Sequence, residues 1–250
     1  MTPATTLIAS HRGGALHWPE NSPTAFRNTA SLAVDQVEFD IHPTADGAIV
    51  VHHDATLDRT TSGTGPVAAH TLSQLKALTL NGTGGEAMLT LPELCTLFAP
   101  TALTLRLEIK SGPDRRPYPG LLDAALRVLD AHRLRTRCVI TSFMAETAAA
   151  ATRTPGLAGA IWLVAPEVQD MIGLEGLCAV TARHGITMVG LRETRLDPLN
   201  LAILRARGLR VGAWAVNDAA AIARMLALAV DVFTTDLPIV ALEQRAALSK

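Results

Sequence analysis

The stretch Val37-Glu38-Phe39-Asp40-Ile41-His42-Pro43-Thr44-Ala45-Asp46-Gly47-Ala48-Ile49-Val50-Val51-His52-His53 holds two β-forming runs with very little chain between them. Parallel neighbours need a crossover of a dozen or more residues, so these two runs are expected to pair antiparallel. Asp46-Gly47 supplies the turn chemistry of a two-residue type I′ hairpin. That reading decides the fold. The chain offers nine apolar, β-branched runs, at 6–10, 37–41, 49–53, 103–109, 138–142, 158–164, 187–191, 209–216 and 230–234. With 49–53 assigned to the hairpin, eight remain, the number that closes a TIM (β/α)8 barrel. Helical stretches at 23–33, 120–132, 145–153, 167–184, 198–207, 218–228 and 237–248 fall between most of them. Gly185 and Gly208 stand where helix C-caps belong, and Pro198 stands near a helix start. Such alternation implies a parallel sheet covered by helices, and the near-continuous apolar runs suit strands buried on both faces. Residues 54–100 exceed an ordinary βα loop. Rich in Thr and Gly, they are expected to form an insertion beside the barrel mouth, within a single domain spanning 1–250.

Composition narrows the function classes. The 250 residues carry 22 Lys+Arg against 23 Asp+Glu, with 48% hydrophobic and 18% charged residues. A disordered chain would be poorer in apolar residues, and a strongly basic nucleic-acid binder would show an excess of cations, so no nucleic-acid partner is expected. Cys95, Cys138 and Cys178 form no CxxC pair and read as buried thiols of a reducing compartment. The N-terminus shows no signal-peptide pattern, and no apolar run reaches ~18 residues. The expectation is a cytoplasmic protein without stable membrane insertion. Nothing in the sequence sets its oligomeric state.

Charge placed inside strands is the most informative chemical feature. Side chains alternate along a strand, so Glu38 and Asp40 share a face, as do Arg106, Glu108 and Lys110 in Leu105–Lys110. Ionised carboxylates on the inner face of a barrel are costly unless paired or metal-bound. Three carboxylates at the C-terminal ends of their strands therefore suggest a cation held by Glu38, Asp40 and Glu108. Their all-oxygen chemistry selects a hard ion, Mg²⁺ or Ca²⁺. A two-residue turn pairs Ala45 with Ala48 and, counting back, Asp40 with His53. This register aims His53 into the carboxylate site and His52 away; a one-residue shift exchanges them. His11-Arg12-Gly13-Gly14 follows the first strand and suits an anionic ligand, with Arg12 as a fork of donors. Asn21 and Ser22 read equally as a helix N-cap or, for Asn21, as a group at the mouth. Asp236 reads as a helix cap, Asp54 as a candidate to orient a neighbour, and His17 and His42 as mouth residues that no geometry ties to chemistry. Two imidazoles beside a divalent cation, with Arg12 and Lys110 near, suit phosphodiester cleavage: one takes a proton from the nucleophile and the other protonates the leaving alkoxide.

The segments His11-Arg12-Gly13, Pro19-Glu20-Asn21, Glu38-Phe39-Asp40, Asp46-Gly47, His53-Asp54, Arg59-Thr60-Thr61, Leu107-Glu108-Ile109-Lys110, Trp214-Ala215-Val216-Asn217 and Thr235-Asp236 with Pro238 closely resemble, in order, the glycerophosphodiester phosphodiesterases. The resemblance implies a TIM barrel with a small insertion after the second histidine. It implies His11 and His53 as the acid/base pair, and Glu38, Asp40 and Glu108 as ligands of one Mg²⁺ or Ca²⁺. Arg12 and Lys110 become the phosphate contacts, and Trp214 a wall near the glycerol end. The implied reaction is hydrolysis of a small-molecule glycerophosphodiester to sn-glycerol 3-phosphate and an alcohol. Ser22 stands where the family usually has Thr, and Ala215 where Thr is common. Two other readings fit the same residues less well. A phosphatidylinositol-type phospholipase C on the same barrel would need an apolar rim, and a non-catalytic phosphodiester-binding module would tolerate loss of a His or a carboxylate.

Overall fold

In the computed structural model, which describes residues 5–248, eight parallel strands close into a ring. They are β1 (Leu7–Ser10), β2 (Gln36–Pro43), β4 (Thr104–Ile109), β5 (Cys138–Ser142), β6 (Gly159–Val164), β7 (Met188–Arg192), β8 (Arg210–Trp214) and β9 (Val232–Thr235). Neighbours run β1-β9-β8-β7-β6-β5-β4-β2, and pairing of β1 with β2 closes the barrel. Strand β3 (Ile49–Val51) lies antiparallel against β2, and its Val50 makes an isolated antiparallel bridge with Thr90. Helices lie between the strands, so the fold is the TIM (β/α)8 barrel. Residues 1–4 and 249–250, the ends of the expected 1–250 domain, lie outside the described residues.

Alternation along each strand divides the apolar residues into two cores. One face points outward to the helices, where Phe26 of α1 (Pro23–Ala30) meets Phe39 and Phe98 edge-on at 6.3 and 6.0 Å. The other face fills the barrel with Ala9, Val139, Ile161, Leu163, Met188 and Val232. Burying the Val, Ile, Leu, Met and Phe side chains among them stabilises by about 1.5–3 kcal/mol each. Glu38, Asp40, Arg106 and Glu108 occupy the inner face of β2 and β4, above that apolar filling.

The 54–100 region holds two helices that apolar periodicity did not reveal, α2 (Leu72–Lys76) and α3 (Leu91–Phe98). Both begin with a capping box, Thr71 with Gln74 and Thr90 with Glu93, a signal present in the sequence. Leu57, Val67, Leu75, Leu80 and Met88 form a small core of their own with Val50. By contrast α3 turns Leu91, Leu94, Cys95 and Phe98 into the main core. The remaining helices are α4 (Leu121–Ala131), α5 (Ala145–Thr152), α6 (Pro166–His184), α7 (Pro198–Ala206), α8 (Ala219–Ala227) and α9 (Pro238–Leu248). Gly185 and Gly208 are left-handed just past α6 and α7, as expected, and α6 is broken at Gly173.

The hairpin exists, but its register differs from the expected one. Ile41 pairs with Val51, His42 with Val50 and Pro43 with Ile49, and the His52 amide donates to the Asp40 carbonyl at 3.0 Å. The loop has three residues, Ala45-Asp46-Gly47. The Gly47 amide closes a turn on the Thr44 carbonyl at 3.1 Å, and Gly47 takes φ 84°. This is a type I turn followed by a left-handed residue, which an Asp-Gly pair serves as well as a type I′ turn. Thr44 fixes the choice: its Oγ1 donates to Asp46 at 2.6 Å and accepts from the Ala48 amide at 2.9 Å. His52, not His53, therefore stands opposite Asp40.

Candidate active site

His53 nevertheless reaches the site. Strand β3 ends at Val51, so the chain beyond it is released from strict alternation. His52 turns its Nε2 to the Thr56 carbonyl at 3.1 Å and is 2% exposed, whereas His53 lines the mouth cavity. That cavity, about 290 Å³, opens at the C-terminal ends of the strands. His11, Arg12, Glu38, Glu108, Trp214 and Asp236 also line it.

Glu38, Asp40 and Glu108 come together as their positions in β2 and β4 require. The register sets Glu38 beside Arg106 and Asp40 beside Glu108. One carboxylate oxygen from each of the three lies within 4.8 Å of the others, and all three residues are buried. Burial, and then the charge of Asp40, push Glu38 up to about 7. Burial also acts on Asp40, but Lys110, His53 and Arg12 outweigh it and hold that carboxyl well below its usual range. Lys110 Nζ stands 2.7 Å from Glu108 and 3.1 Å from Asp40, and Arg12 Nε stands 3.6 Å from Asp40. Three crowded buried carboxylates, one of them resisting ionisation, form an oxygen-only donor set that a divalent cation would relieve. The triad is compatible with such a site.

Each imidazole is held through Nδ1 by a carboxylate. His11 Nδ1 lies 2.6 Å from Asp236 and His53 Nδ1 2.6 Å from Asp54, so each Nδ1–H donates and neither bond engages Nε2. His11 Nε2 is 3.8 Å from Glu38. Burial draws His11 down, but Glu38 and the bond to Asp236 outweigh it, so its pKa is raised. For His53 burial prevails over the attraction of Asp40, helped by Lys110 and Arg12, so its pKa is lowered.

The loop after β1 folds tightly to make this possible. Gly13 has φ 81°, and a Cβ there would sit 2.7 Å from that of Ala25, so only glycine lets α1 approach. Arg12, Asn21 and Ala215 take left-handed conformations of φ 51°, 53° and 59°, a concentration of strained non-glycine residues around one mouth. Asn21 does not cap α1. Ser22 does, with Oγ accepting from the Ala25 amide at 3.0 Å, while Asn21 Nδ2 donates to Asp40 at 2.9 Å. Trp214 leans its indole on the Gly190 carbonyl at 3.2 Å and meets Phe143 edge-on at 5.5 Å.

The glycerophosphoryl diester phosphodiesterase family model matches residues 11–240. The chain belongs to that family. A glycerophosphodiester phosphodiesterase of Caldanaerobacter subterraneus subsp. tengcongensis is 36% identical over 143 residues, which cover 55% of this chain and 58% of the relative. A solved structure from Agrobacterium tumefaciens, of a protein whose name assigns it to the glycerophosphoryl diester phosphodiesterases, is 38% identical. It superposes with a TM-score of 0.94 over 98% of this chain and 99% of that one. An Oleispira antarctica phosphodiesterase, solved with its product sn-glycerol-3-phosphate, shares the fold at 22% identity, with a TM-score of 0.79 over 96% of each chain.

Several supports of this phosphodiesterase-family site escaped the sequence reading. Asp236, read as a cap, bonds His11, and its other oxygen accepts from Asn217 Nδ2 at 2.5 Å. The signal was the adjacency of two strand ends, since Ser10 pairs with Thr235. His42, left without a role, takes its place under His53: its Nε2–H donates to the His53 carbonyl at 3.1 Å, and Nδ1 accepts from Tyr118 at 3.2 Å. Burial drives His42 down to about 4, so it keeps this neutral form.

Arg59 binds Asp54 through Nε at 2.7 Å and Glu20 through Nη1 at 2.7 Å and Nη2 at 2.8 Å, and Glu20 in turn holds Arg12 at 3.1 Å. The bond from Arg59 is the main reason Asp54 sits below its usual range. Glu20 is lowered too, because Arg59 and Arg12 outweigh its burial. Both carboxylates titrate lower folded than unfolded, so their contribution is present above about pH 4 and is lost as pH falls through the folded values. Arg59→Met should therefore lower the unfolding midpoint by about 2–4 °C at pH 7, with the difference closing toward pH 2 in parallel thermal scans. A gap that stays constant with pH would show that packing, not charge, is what Arg59 supplies.

Proposed function

We propose that the chain hydrolyses glycerophosphodiesters, such as glycerophosphocholine or glycerophosphoethanolamine, to sn-glycerol 3-phosphate and an alcohol. The cofactor in this reading is one Mg²⁺ or Ca²⁺ held by Glu38, Asp40 and Glu108. The observation that carries it is the pair of imidazoles, each fixed by a carboxylate at Nδ1, set beside that triad in a chain of this family. When bound, the cation supplies a Lewis acid that stabilises charge on the phosphoryl oxygens. Arg12 and Lys110, both cationic and both facing Asp40, hold the phosphate. Trp214 walls the glycerol end.

His11 and His53 act as the acid/base pair through Nε2. One accepts the proton of the attacking hydroxyl as its oxygen bonds to phosphorus. The other gives a proton to the departing alkoxide as the P–O bond breaks. The nucleophile is water or the 2-hydroxyl of the substrate itself; the second route expels the alcohol to give a cyclic glycerophosphate that water then opens, and that intermediate seen by phosphorus NMR during turnover identifies it. Among the described residues no helix is long and apolar enough to cross a membrane. We place the protein in the cytoplasm, acting on a free small molecule and not on nucleic acid. Retention of both histidines and all three carboxylates favours catalysis over a non-catalytic phosphodiester-binding module.

The test is release of sn-glycerol 3-phosphate from a panel of glycerophosphodiesters, detected with a coupled dehydrogenase. Mg²⁺- or Ca²⁺-dependent release is the expected result. Release of an inositol phosphate from phosphatidylinositol, with no glycerophosphodiester cleaved, would move the protein to the phospholipase C reading.

A further inference from the structure

Arg106 is a cation that the proposed chemistry does not use. It lies on the inner face of β4, two residues before Glu108 and in register with Glu38, so its backbone sits about 7 Å deeper in the barrel than that of Glu108. It is 1% exposed and lines the active cavity, yet its Nη1 has no hydrogen-bond partner among the described residues. Thr141 pairs with Glu108 from β5, is fully buried and lines the same cavity, and its Oγ1 is likewise unpartnered. Two unsatisfied polar groups lining one pocket are expensive to keep there without a ligand or water to complete them.

The chemistry of the pair narrows what completes it. A guanidinium only donates, whereas a threonine hydroxyl donates or accepts. A ligand hydroxyl satisfies both at once, accepting from Arg106 and donating to Thr141. A carboxylate is disfavoured, because Glu38 and Glu108 already supply the negative charge felt by Arg106 and would repel another anion. The phosphate is claimed nearer the mouth by Arg12 and Lys110, which follow the ends of β1 and β4. Leu163 and Trp214 give the cavity an apolar side for carbon.

We propose that Arg106 and Thr141 form an inner subsite that takes the terminal hydroxyl of the glycerol half, the one farthest from phosphorus, and so determine specificity for glycerol over shorter or deoxygenated alcohols. This rests on the function proposed above. It is tested by titration calorimetry in Mg²⁺ with sn-glycerol 3-phosphate and with 2-hydroxypropyl phosphate, in which a methyl group replaces the terminal hydroxymethyl. The wild type should bind the analogue about 30-fold more weakly or worse, the scale of a lost hydrogen bond to a charged donor. Arg106→Met should bring the two ligands within about threefold. Thr141→Val, which keeps the side-chain shape, should shrink the ratio severalfold and serves also if Arg106→Met does not fold. A wild-type ratio within threefold, or a ratio that persists in every folded variant, overturns the subsite alone. A protein that binds neither ester overturns the phosphodiesterase reading and the subsite with it.

Discussion

His53→Ala should leave a folded barrel whose kcat on glycerophosphocholine is lower by about 10³–10⁴, the upper range for loss of a positioned general acid or base. Its Nε2 is the nitrogen left free once Asp54 holds Nδ1, so alanine removes the proposed proton carrier and little packing. His52→Ala is the matched control. His52 is 2% exposed and bonded to the Thr56 carbonyl, so its loss should cost about 2 kcal/mol of stability, or roughly 4–8 °C, with kcat within a few-fold of wild type. Steady-state kinetics and thermal scans on the two variants separate the roles. Equal losses of kcat would mean that the chain after β3 does not place the two rings as described. Asp54→Asn extends the series: it keeps shape but weakens the hold on Nδ1, and kcat should fall by an intermediate factor.

Chelation should also be severe. With EDTA, glycerophosphodiester hydrolysis should fall to under about 1% of the untreated rate, and Mg²⁺ or Ca²⁺ should restore it. Glu108→Gln should weaken cation binding by about 100-fold in calorimetry while the protein stays folded. The amide is isosteric, and Lys110 keeps Asp40 as a partner at 3.1 Å. Full activity in metal-free buffer would remove the cation from the mechanism. Intact affinity in the glutamine variant would remove Glu108 from the ligands. In that case Lys110, 2.7 Å from Glu108, would be its resident partner.

The barrel was legible because its signals are local. Near-continuous apolar strand runs, helix caps and a link too short for a crossover each act within a few residues. The same hairpin shows where that ends. Asp46-Gly47 suits two loop lengths, and the choice fell to Thr44, whose hydroxyl ties the three-residue form through two bonds. His53 does not pair with Asp40, as a two-residue turn would require; it enters the cavity because β3 stops early. The carboxylates were readable because charge at alternate positions of apolar strands has few explanations. Their supports were not, since Asp236 is 225 residues from His11 in sequence and Glu20 is 39 from Arg59, and only the closed barrel brings them together.

The latch formed by Arg59 limits how this scaffold can diversify. The excursion after β3 is fastened to the rim at its own beginning, by an arginine that also holds the carboxylate bonded to His53. Exchanging the whole excursion for a foreign one would therefore unseat His53 along with the rim. A graft that starts beyond Arg59 would spare it, so new leaving groups are most cheaply accommodated by rebuilding the chain downstream of that arginine.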